Sequence, residues 1–287
     1  NFYYNYKRVT NISRGEEMKF QYIIDNGRLK KRLEHVMPTC ENVLYEVLRV
    51  IDGQPLFCQE HLDRMDKSSR LSGYSLLRSI DDMKSDIGVL IEKEGISNCN
   101  IRIEMCFETR ETGQTLVFFI DSSYPDAEMY SRGVETVFYN IRRESPNIKR
   151  YNKSFKEAIE SVKAGKYFEV ILVDEESKLS EGSRSNLFFV KGNKLITAKG
   201  ESVLMGITRE KVLDSASQCR IEIVEKVISM DEVKTFEGAF ITGTSLGVLP
   251  LARIGDLIFD PANKRISDLK RVYDQMVRDD ISGGKNE

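Results

Sequence analysis

The sequence lacks several residue types and patterns on which common kinds of function depend. Its 287 residues include no tryptophan and only two histidines, His35 and His61, which form no HExxH-type spacing. Histidine-based metal chemistry is therefore not expected. The chain also contains neither a GxxxxGK[ST] nor a GxGxxG motif, so a phosphate site of the ATP or dinucleotide type has no support.

An excess of one charge and long apolar runs are missing as well. The 43 basic and 45 acidic residues are well mixed and leave a formal net charge of −2, so nucleic acid is not expected as a partner. No apolar run approaches the roughly 18 residues of a membrane span. With 40% hydrophobic residues, the composition predicts a soluble, cytoplasmic protein that buries one large core or two modest ones.

Cysteine is present but scattered. The five cysteines are odd in number and include no CxxC pair; they are Cys40, Cys58, Cys99, Cys106 and Cys219. This pattern argues against a disulfide framework and against a zinc site, and it favours a reducing cytoplasm.

The order of strand-type and helix-type segments predicts an α/β protein of the α+β type with two domains. In residues 18–125, hairpin signals such as Asp52-Gly53 and two helical periodicities indicate a small N-terminal sheet with helices on one side. After a polar, turn-rich stretch, residues 126–287 form the larger C-terminal domain. Residues 1–17 precede the first strand-like pattern and are expected to be an extension outside the core.

Three segments could together bind a phosphate group. In LMGITREKV, Gly206 and Thr208 stand at a predicted helix start, where backbone N–H groups and the helix dipole attract anions. In FITGTSLGVLP, an apolar strand ends in a turn with the hydroxyls of Thr244 and Ser245. Arg64, on the predicted helix EHLDRM, has the guanidinium that suits a phosphate. Each has an ordinary alternative, namely a capped helix, a strand-end turn and a surface arginine.

The stretch KLSEGSRSNLFFV places a carboxylate, Glu181, immediately before the glycine of a short turn. The ordinary environment of such a residue is solvent. A phosphate held by two turns, however, suits a small phosphorylated cofactor. If that cofactor is pyridoxal phosphate, a lysine must form the Schiff base, and an acidic group is needed to keep the ring nitrogen protonated. Glu181 is the candidate for the acidic group.

With these segments in view, the sequence resembles the fold-type IV pyridoxal-phosphate enzymes, the class IV aminotransferases. This group includes branched-chain and D-amino acid aminotransferases and aminodeoxychorismate lyase. The resemblance runs from about Tyr22 to the last helix, through VLYEVLRVIDGQPLFCQEHLDRM, NIKRYN, SEGSRSNLFFV, GITRE and FITGTS in the family's order. It implies two α/β domains that share one cofactor, a homodimer, and transfer of an amino group between an amino acid and a 2-oxo acid.

The resemblance also implies roles for single residues. Lys149, in NIKRYN, would form the Schiff base and move the proton between substrate and cofactor, and Glu181 would pair with the ring nitrogen. Tyr45 would line the substrate side. The phosphate would be bound by Arg64, Ile207, Thr208, Thr244 and Ser245.

Some assignments stay open at this point. Lys153 and Lys156 lie close to Lys149, although both fall within the following predicted helix. Arg184 could pair with a substrate carboxylate or face solvent, and Arg49 could bind a carboxylate or simply occupy a strand face.

The sequence also departs from the family pattern. Ser154 stands where branched-chain enzymes have a tyrosine, the Gly-Asp-Gly before the Tyr-Glu-Val block is absent, and no histidine follows MCFETRETG to support D-specificity. A lyase that releases pyruvate from aminodeoxychorismate, or a non-catalytic member that only binds a ligand or partner, are the alternatives to an aminotransferase.

Overall fold

The structure is a computed structural model that describes residues 19–35, 38 and 40–283. The chain divides into two compact units. The first unit contains the described residues up to Ser122 and also Lys149–Tyr151, whereas the second contains Ser123–Ile148 and the chain from Asn152 onwards. Sequence order alone assigned residues 149–151 to the second domain. The predicted extension, residues 1–17, lies outside the described residues.

The first unit is built on one antiparallel sheet of six strands in the order β2-β1-β6-β5-β3-β4. Its strands are β1 (Tyr22–Asp25), β2 (Arg28–Lys31), β3 (Asn42–Ile51), β4 (Gln54–Pro55), β5 (Cys99–Phe107) and β6 (Gly113–Ile120). Its helices are α1 (Cys58–Leu71) and α2 (Ile80–Glu94), with a short 3-10 turn at Arg32–Glu34.

Strand β3 shows why this sheet forms. Its side chains alternate, and Leu44, Leu48 and Val50 are fully buried or nearly so, which is the pattern of a strand with one face on a core. The predicted turn at Asp52-Gly53 joins β3 to β4, and both residues have the positive φ that such a hairpin turn requires.

The sheet register brings two cysteines together, contrary to the prediction of scattered, unpaired thiols. Cys40 and Cys106 form a disulfide with a Cα–Cα distance of 6.0 Å. Cys106 on β5 lies opposite Val43 on β3, so the chain just before β3 passes beside it. The pairing depends on a long-range strand register, and the spacing of the cysteines in the sequence carries no sign of it. Cys58, Cys99 and Cys219 are free.

The second unit is built on a mixed sheet of ten strands, with β16 paired to β15 beside the path β12-β11-β10-β14-β15-β7-β8-β9-β13. Its strands are β7 (Val134–Asn140), β8 (Glu169–Val173), β9 (Lys178–Gly182), β10 (Asn186–Lys191), β11 (Lys194–Thr197), β12 (Glu222–Glu225), β13 (Ile228–Ser229), β14 (Gly238–Gly243), β15 (Gly247–Ile254) and β16 (Leu257–Ile258). Its helices are α3 (Ala127–Arg132), α4 (Lys153–Lys163), α5 (Ile207–Gln218), α6 (Met230–Val233) and α7 (Lys264–Gly283), with a 3-10 turn at Gly200–Ser202.

The core of the second unit lies along β8, β10, β14 and β15. Phe189, Ile171, Ile241 and Leu249 are all fully buried there, and Phe189 stacks on Phe236 with ring centroids 4.6 Å apart. Apolar residues on both faces of these strands are typical of central strands covered on both sides. Within the described ranges, no helix is long and apolar enough to cross a membrane, and no group of His, Cys, Asp or Glu could hold a metal ion.

Candidate active site

The segment that carries Lys149 pairs with the edge of β3 in the first unit. Leu44 and Arg150 form an antiparallel bridge, the Tyr45 N–H donates to the carbonyl oxygen of Lys149 at 3.1 Å, and the Tyr151 N–H donates to that of Val43 at 3.0 Å. This pairing fixes the backbone on both sides of Lys149. Lys153, by contrast, is the first residue of α4 in the second unit.

The side chain of Lys149 lies beside Tyr45. Its Nζ is 4.9 Å from the centroid of the Tyr45 ring, within the range of a cation–π contact. Arg102, on the neighbouring strand β5, also stacks on this ring at 4.1 Å and donates from Nε to Oε1 of Glu104 at 2.5 Å. The structure therefore brings together Lys149 and Tyr45, and it adds a buried arginine–glutamate pair that the sequence had not indicated.

Arg64 is held by a buried carboxylate on β3. Its Nε donates to Oε1 of Glu46 at 2.7 Å, and its Nη2 donates to Oε2 at 2.6 Å. Nδ1 of His61 lies 2.9 Å from the same Oε2. Glu46 is completely buried, and His61 is 2% exposed. His61 and Arg64 are three residues apart on α1, so they project from one face of that helix.

Charge sets the protonation of this group. Burial by itself would raise the pKa of Glu46, but the positive charge of Arg64 and hydrogen bonds from Arg64 and His61 lower it to about 2. Burial lowers the pKa of His61, with the positive charges of Arg64 and Lys149 adding to this effect against the opposing influence of Glu46. Glu46 is therefore ionised at neutral pH and can only accept hydrogen bonds. His61 is neutral, with its proton on Nδ1.

In the second unit, Glu181 is buried at the end of β9 and is 2% exposed. Its Oε2 accepts from the backbone N–H of Leu204 at 3.0 Å and from Nδ2 of Asn186 at 3.3 Å. Asn186 also donates to the carbonyl oxygen of Leu204 at 2.8 Å. Glu181 is thus joined to the chain just before α5, which excludes solvent as its ordinary environment.

The cation that faces Glu181 within the second unit is Arg143. Its Nε lies 3.1 Å from Oε1 of Glu181. Its Nη2 donates to the carbonyl oxygen of Ser183 at 2.7 Å, and its guanidinium stacks on Phe155 at 4.9 Å. These contacts hold the guanidinium in place beside the carboxylate.

A second buried carboxylate, Glu169, organises the turn that follows Glu181. It accepts hydrogen bonds from the hydroxyls of Ser183 and Ser185 at 2.5 and 3.2 Å and from the backbone N–H of Arg184 at 3.1 Å. The Arg184 side chain itself is exposed. Burial and then the charge of Arg184 lower the pKa of Lys163 on α4. The turn is therefore fixed, while its arginine reaches out of it.

The predicted phosphate-binding helix begins as expected. α5 starts at Ile207 with Gly206 as its N-cap, and Gly206 makes no side-chain cap. Ile207 and Thr208 are both 4% exposed. A Cβ at Gly206 would lie 2.2 Å from Oδ1 of Asn186, so the amide that binds Glu181 also needs a glycine at this helix start.

Thr244 and Ser245 occupy the corner of a turn between β14 and β15. The Leu246 N–H donates to the carbonyl oxygen of Gly243 at 2.9 Å and closes this turn. A Cβ at Gly243 would lie 3.5 Å from the carbonyl oxygen of Arg184. The structure thus brings this turn close to the turn after Glu181.

Sequence reasoning missed several polar residues of these two groups. They are Glu46, His61, Arg102, Arg143, Glu169 and Asn186. Glu46 did leave a signal, because it occupies an inward position of β3 between Leu44 and Leu48, where an apolar residue is the rule. Arg143 and Glu169 left none that local pattern could reveal.

Comparison with known proteins agrees with these features. A family model described as "Amino-transferase class IV" matches residues 43–254, which is most of the chain. The chain belongs to the class IV aminotransferase family. Members of this family are pyridoxal phosphate enzymes of fold type IV, so membership confirms the expected family, the α/β fold, an aminotransferase enzyme and its cofactor.

Two relatives and one solved structure illustrate the similarity. A Thermotoga maritima protein described as "Probable branched-chain-amino-acid aminotransferase" is 29% identical over 226 residues, covering 76% of this chain and 80% of its own. The "Branched-chain-amino-acid aminotransferase" of Escherichia coli K12 is 26% identical over 281 residues, covering 86% and 91%. A branched-chain amino acid aminotransferase from T.th., solved with pyridoxamine 5'-phosphate, superposes with a TM-score of 0.81 at 20% identity, covering 91% of this chain and 96% of that one.

Proposed function

We propose that this aminotransferase uses Lys149 as its cofactor-binding lysine and takes a branched-chain amino acid as amino donor and a 2-oxo acid as acceptor. The donor follows from the names of the curated relatives. The single observation that carries the choice of lysine is the pairing of the 149–151 segment with β3, because it fixes Lys149 and leaves its side chain beside Tyr45.

Pyridoxal phosphate supplies, when bound, a conjugated ring that accepts the electrons released as the substrate α-proton leaves. Lys149 Nζ binds the aldehyde carbon and then carries the proton between the substrate α-carbon and the cofactor. Glu181 holds the proton on the ring nitrogen, because an ionised carboxylate favours a cation. Arg143, 3.1 Å from Oε1 of Glu181, favours the ionised form of that carboxylate.

The residues around the predicted phosphate position fit a phosphate group. Free N–H groups at the start of α5, at Ile207 and Thr208, suit an anion because of the helix dipole. The turn at Thr244 and Ser245 adds hydroxyl groups, and the buried Oγ1 of Thr242 just before it has no hydrogen-bond partner among the described residues. With Arg64, these groups would bind the phosphate ester and fix the ring in place.

Substrate recognition is assigned to two further residues. Tyr45 presents its ring next to Lys149 and would contact the donor side chain. Arg184 is exposed on a turn fixed by Glu169, and it would pair with the substrate carboxylate. The enzyme would act as a homodimer in the cytoplasm, as expected from the family resemblance.

The experiment is a donor screen with purified enzyme loaded with pyridoxal phosphate. L-leucine, L-valine and L-isoleucine are each mixed with 2-oxoglutarate, and glutamate is measured. Turnover should be lost by about 10³-fold or more in Lys149→Ala. It should remain near that of the wild type in the matched variant Lys153→Ala, since Lys153 belongs to α4.

A different set of results would overturn the proposal. Pyruvate released from aminodeoxychorismate without any oxo acid, together with no glutamate from the branched-chain donors, would identify a lyase. Equal activity of Lys149→Ala and wild type would remove Lys149 from the reaction.

A further inference from the structure

The group formed by Glu46, His61 and Arg64 has more order than a structural ion pair requires. Two of the five N–H groups of Arg64 donate to Glu46 in a bidentate arrangement, at 2.7 and 2.6 Å, and His61 binds one of the same carboxylate oxygens at 2.9 Å. A buried ion pair adds little net stability compared with apolar residues of similar volume. Its retention is better explained by the orientation that it imposes.

The bidentate pair fixes the plane of the guanidinium. Rotation of the Arg64 side chain would break two charge-assisted hydrogen bonds at once, and each such bond is among the stronger ones in proteins. The Glu46 carboxylate cannot turn either, because β3 holds its backbone and His61 Nδ1–H binds Oε2. The remaining N–H groups of Arg64 therefore project from a defined edge, the one turned away from Glu46.

Charge adds a second consequence. Glu46 is ionised, since Arg64 and His61 lower its pKa to about 2 despite its burial, and it offsets the positive charge of Arg64. An arginine neutralised in this way attracts an anion less by long-range charge and more by the geometry of its hydrogen bonds. Such an arginine selects a ligand oxygen at one position and does not bind any nearby anion equally well.

We propose that Glu46 and His61 are positioning residues that orient Arg64 for the phosphate group of the cofactor. This inference rests on the proposed function, in which Arg64 binds that phosphate. Neither residue touches the cofactor; both act through Arg64. Glu46 sets the plane of the guanidinium, and His61 sets the position of the Glu46 carboxylate.

The test compares two ligands that differ only in the phosphate. Dissociation constants for pyridoxal phosphate and for pyridoxal are measured by absorbance titration with the wild type and with Glu46→Gln, Glu46→Asp and Arg64→Gln. The measured quantity is the ratio of the two constants. A purely structural role would weaken both ligands alike and leave this ratio unchanged. Glu46→Asp keeps the buried negative charge, so it provides a folded variant even if Glu46→Gln is unstable.

The expected result is a loss of preference for the phosphorylated ligand of about 10- to 100-fold in both Glu46 variants, the size of one or two charged hydrogen bonds. His61→Gln should show a smaller loss in the same direction. The matched control is Glu104→Gln, which removes another buried carboxylate paired with an arginine, Arg102, in the same sheet. Its ratio should equal that of the wild type.

Two outcomes would overturn the inference, and they have different meanings. A lowered ratio in Arg64→Gln, with wild-type ratios in the folded Glu46 variants, would show that Arg64 binds the phosphate without help from Glu46. A wild-type ratio in Arg64→Gln would remove Arg64 from the phosphate site and contradict that part of the proposed function as well.

Discussion

The backbone N–H of Tyr45 donates to the carbonyl oxygen of Lys149 at 3.1 Å. The candidate lysine is therefore fixed to β3 by main-chain pairing, which does not depend on either side chain. Substitution of Lys149 should remove its chemistry and leave the segment in place. Variants at this position are consequently clean tests of function, because loss of activity need not follow from loss of fold.

Replacement of Glu181 by glutamine should lower kcat by about 100-fold or more. A neutral amide cannot keep the ring nitrogen protonated, and the ring then withdraws electrons less strongly. Binding of pyridoxal phosphate should weaken less than kcat falls. Steady-state kinetics with saturating cofactor measure the effect.

The control for this substitution is Glu176→Gln, which changes an exposed glutamate near the same strand. It should leave kcat unchanged. Near-normal turnover of Glu181→Gln would refute the assignment of Glu181 to the ring nitrogen.

The first unit should lose stability in acid in two stages. His61 has a lowered pKa when folded, so the unfolded chain takes up its proton first, and stability begins to fall below the unfolded pKa of about 6.5. Glu46 has its pKa lowered from 4.5 to about 2. Its contribution, about 3 kcal/mol, is fully present above pH 4.5 and is lost as the pH falls towards 2.

Urea titrations at a series of pH values check this prediction. Glu46→Gln should be less stable than the wild type at pH 7 and should lack the loss of stability between pH 4.5 and 2. His61→Gln should lack the earlier loss. Parallel curves for the wild type and Glu46→Gln across the acid range would contradict the buried ion pair.

Gly206→Ala should destabilise the protein by about 1–3 kcal/mol. The new Cβ would lie 2.2 Å from Oδ1 of Asn186, so Asn186 must move and its bonds to Glu181 and Leu204 must weaken. Gly88→Ala in α2 is the matched control. Nothing lies within 4 Å of its Cβ, and it should stabilise that helix by about 0.5–1 kcal/mol. Equal unfolding midpoints for the two variants would contradict the contact at Asn186.

Reduction of the Cys40–Cys106 disulfide should also destabilise the first unit. The bridge spans 66 residues, for which the chain-entropy argument gives about 4 kcal/mol. Dithiothreitol should lower the unfolding midpoint of the wild type and of Cys219→Ser, whose thiol is free. It should have no effect on Cys106→Ser. An unchanged wild-type midpoint on reduction would show that the bridge contributes nothing.

Features that depend on a few neighbouring residues were predictable from the sequence. The turn at Asp52-Gly53 has positive φ at both positions, and the composition of the dipeptide indicates this directly. The start of α5 at Ile207 follows from the glycine and threonine there. The motif blocks then supplied the family, because they occur in order along the whole chain.

Features that depend on long-range pairing were not predictable in this way. The bridge between Leu44 and Arg150 joins segments far apart in the chain, and nothing local indicates it. Strand β15 is a further example, because it lies inside the second sheet although it contains Pro250, a residue that argues against a central strand. β15 pairs with β7 only from Leu251 onwards, and the register shifts between Leu251 and Arg253.

The central claim is that Lys149 binds pyridoxal phosphate covalently. The most direct measurement is the visible absorbance of the enzyme loaded with pyridoxal phosphate, before and after borohydride reduction, followed by peptide mass mapping. We predict a visible band that disappears on reduction and a pyridoxyl group fixed on Lys149. A group fixed on Lys153, or no band after incubation with pyridoxal phosphate, would contradict this claim.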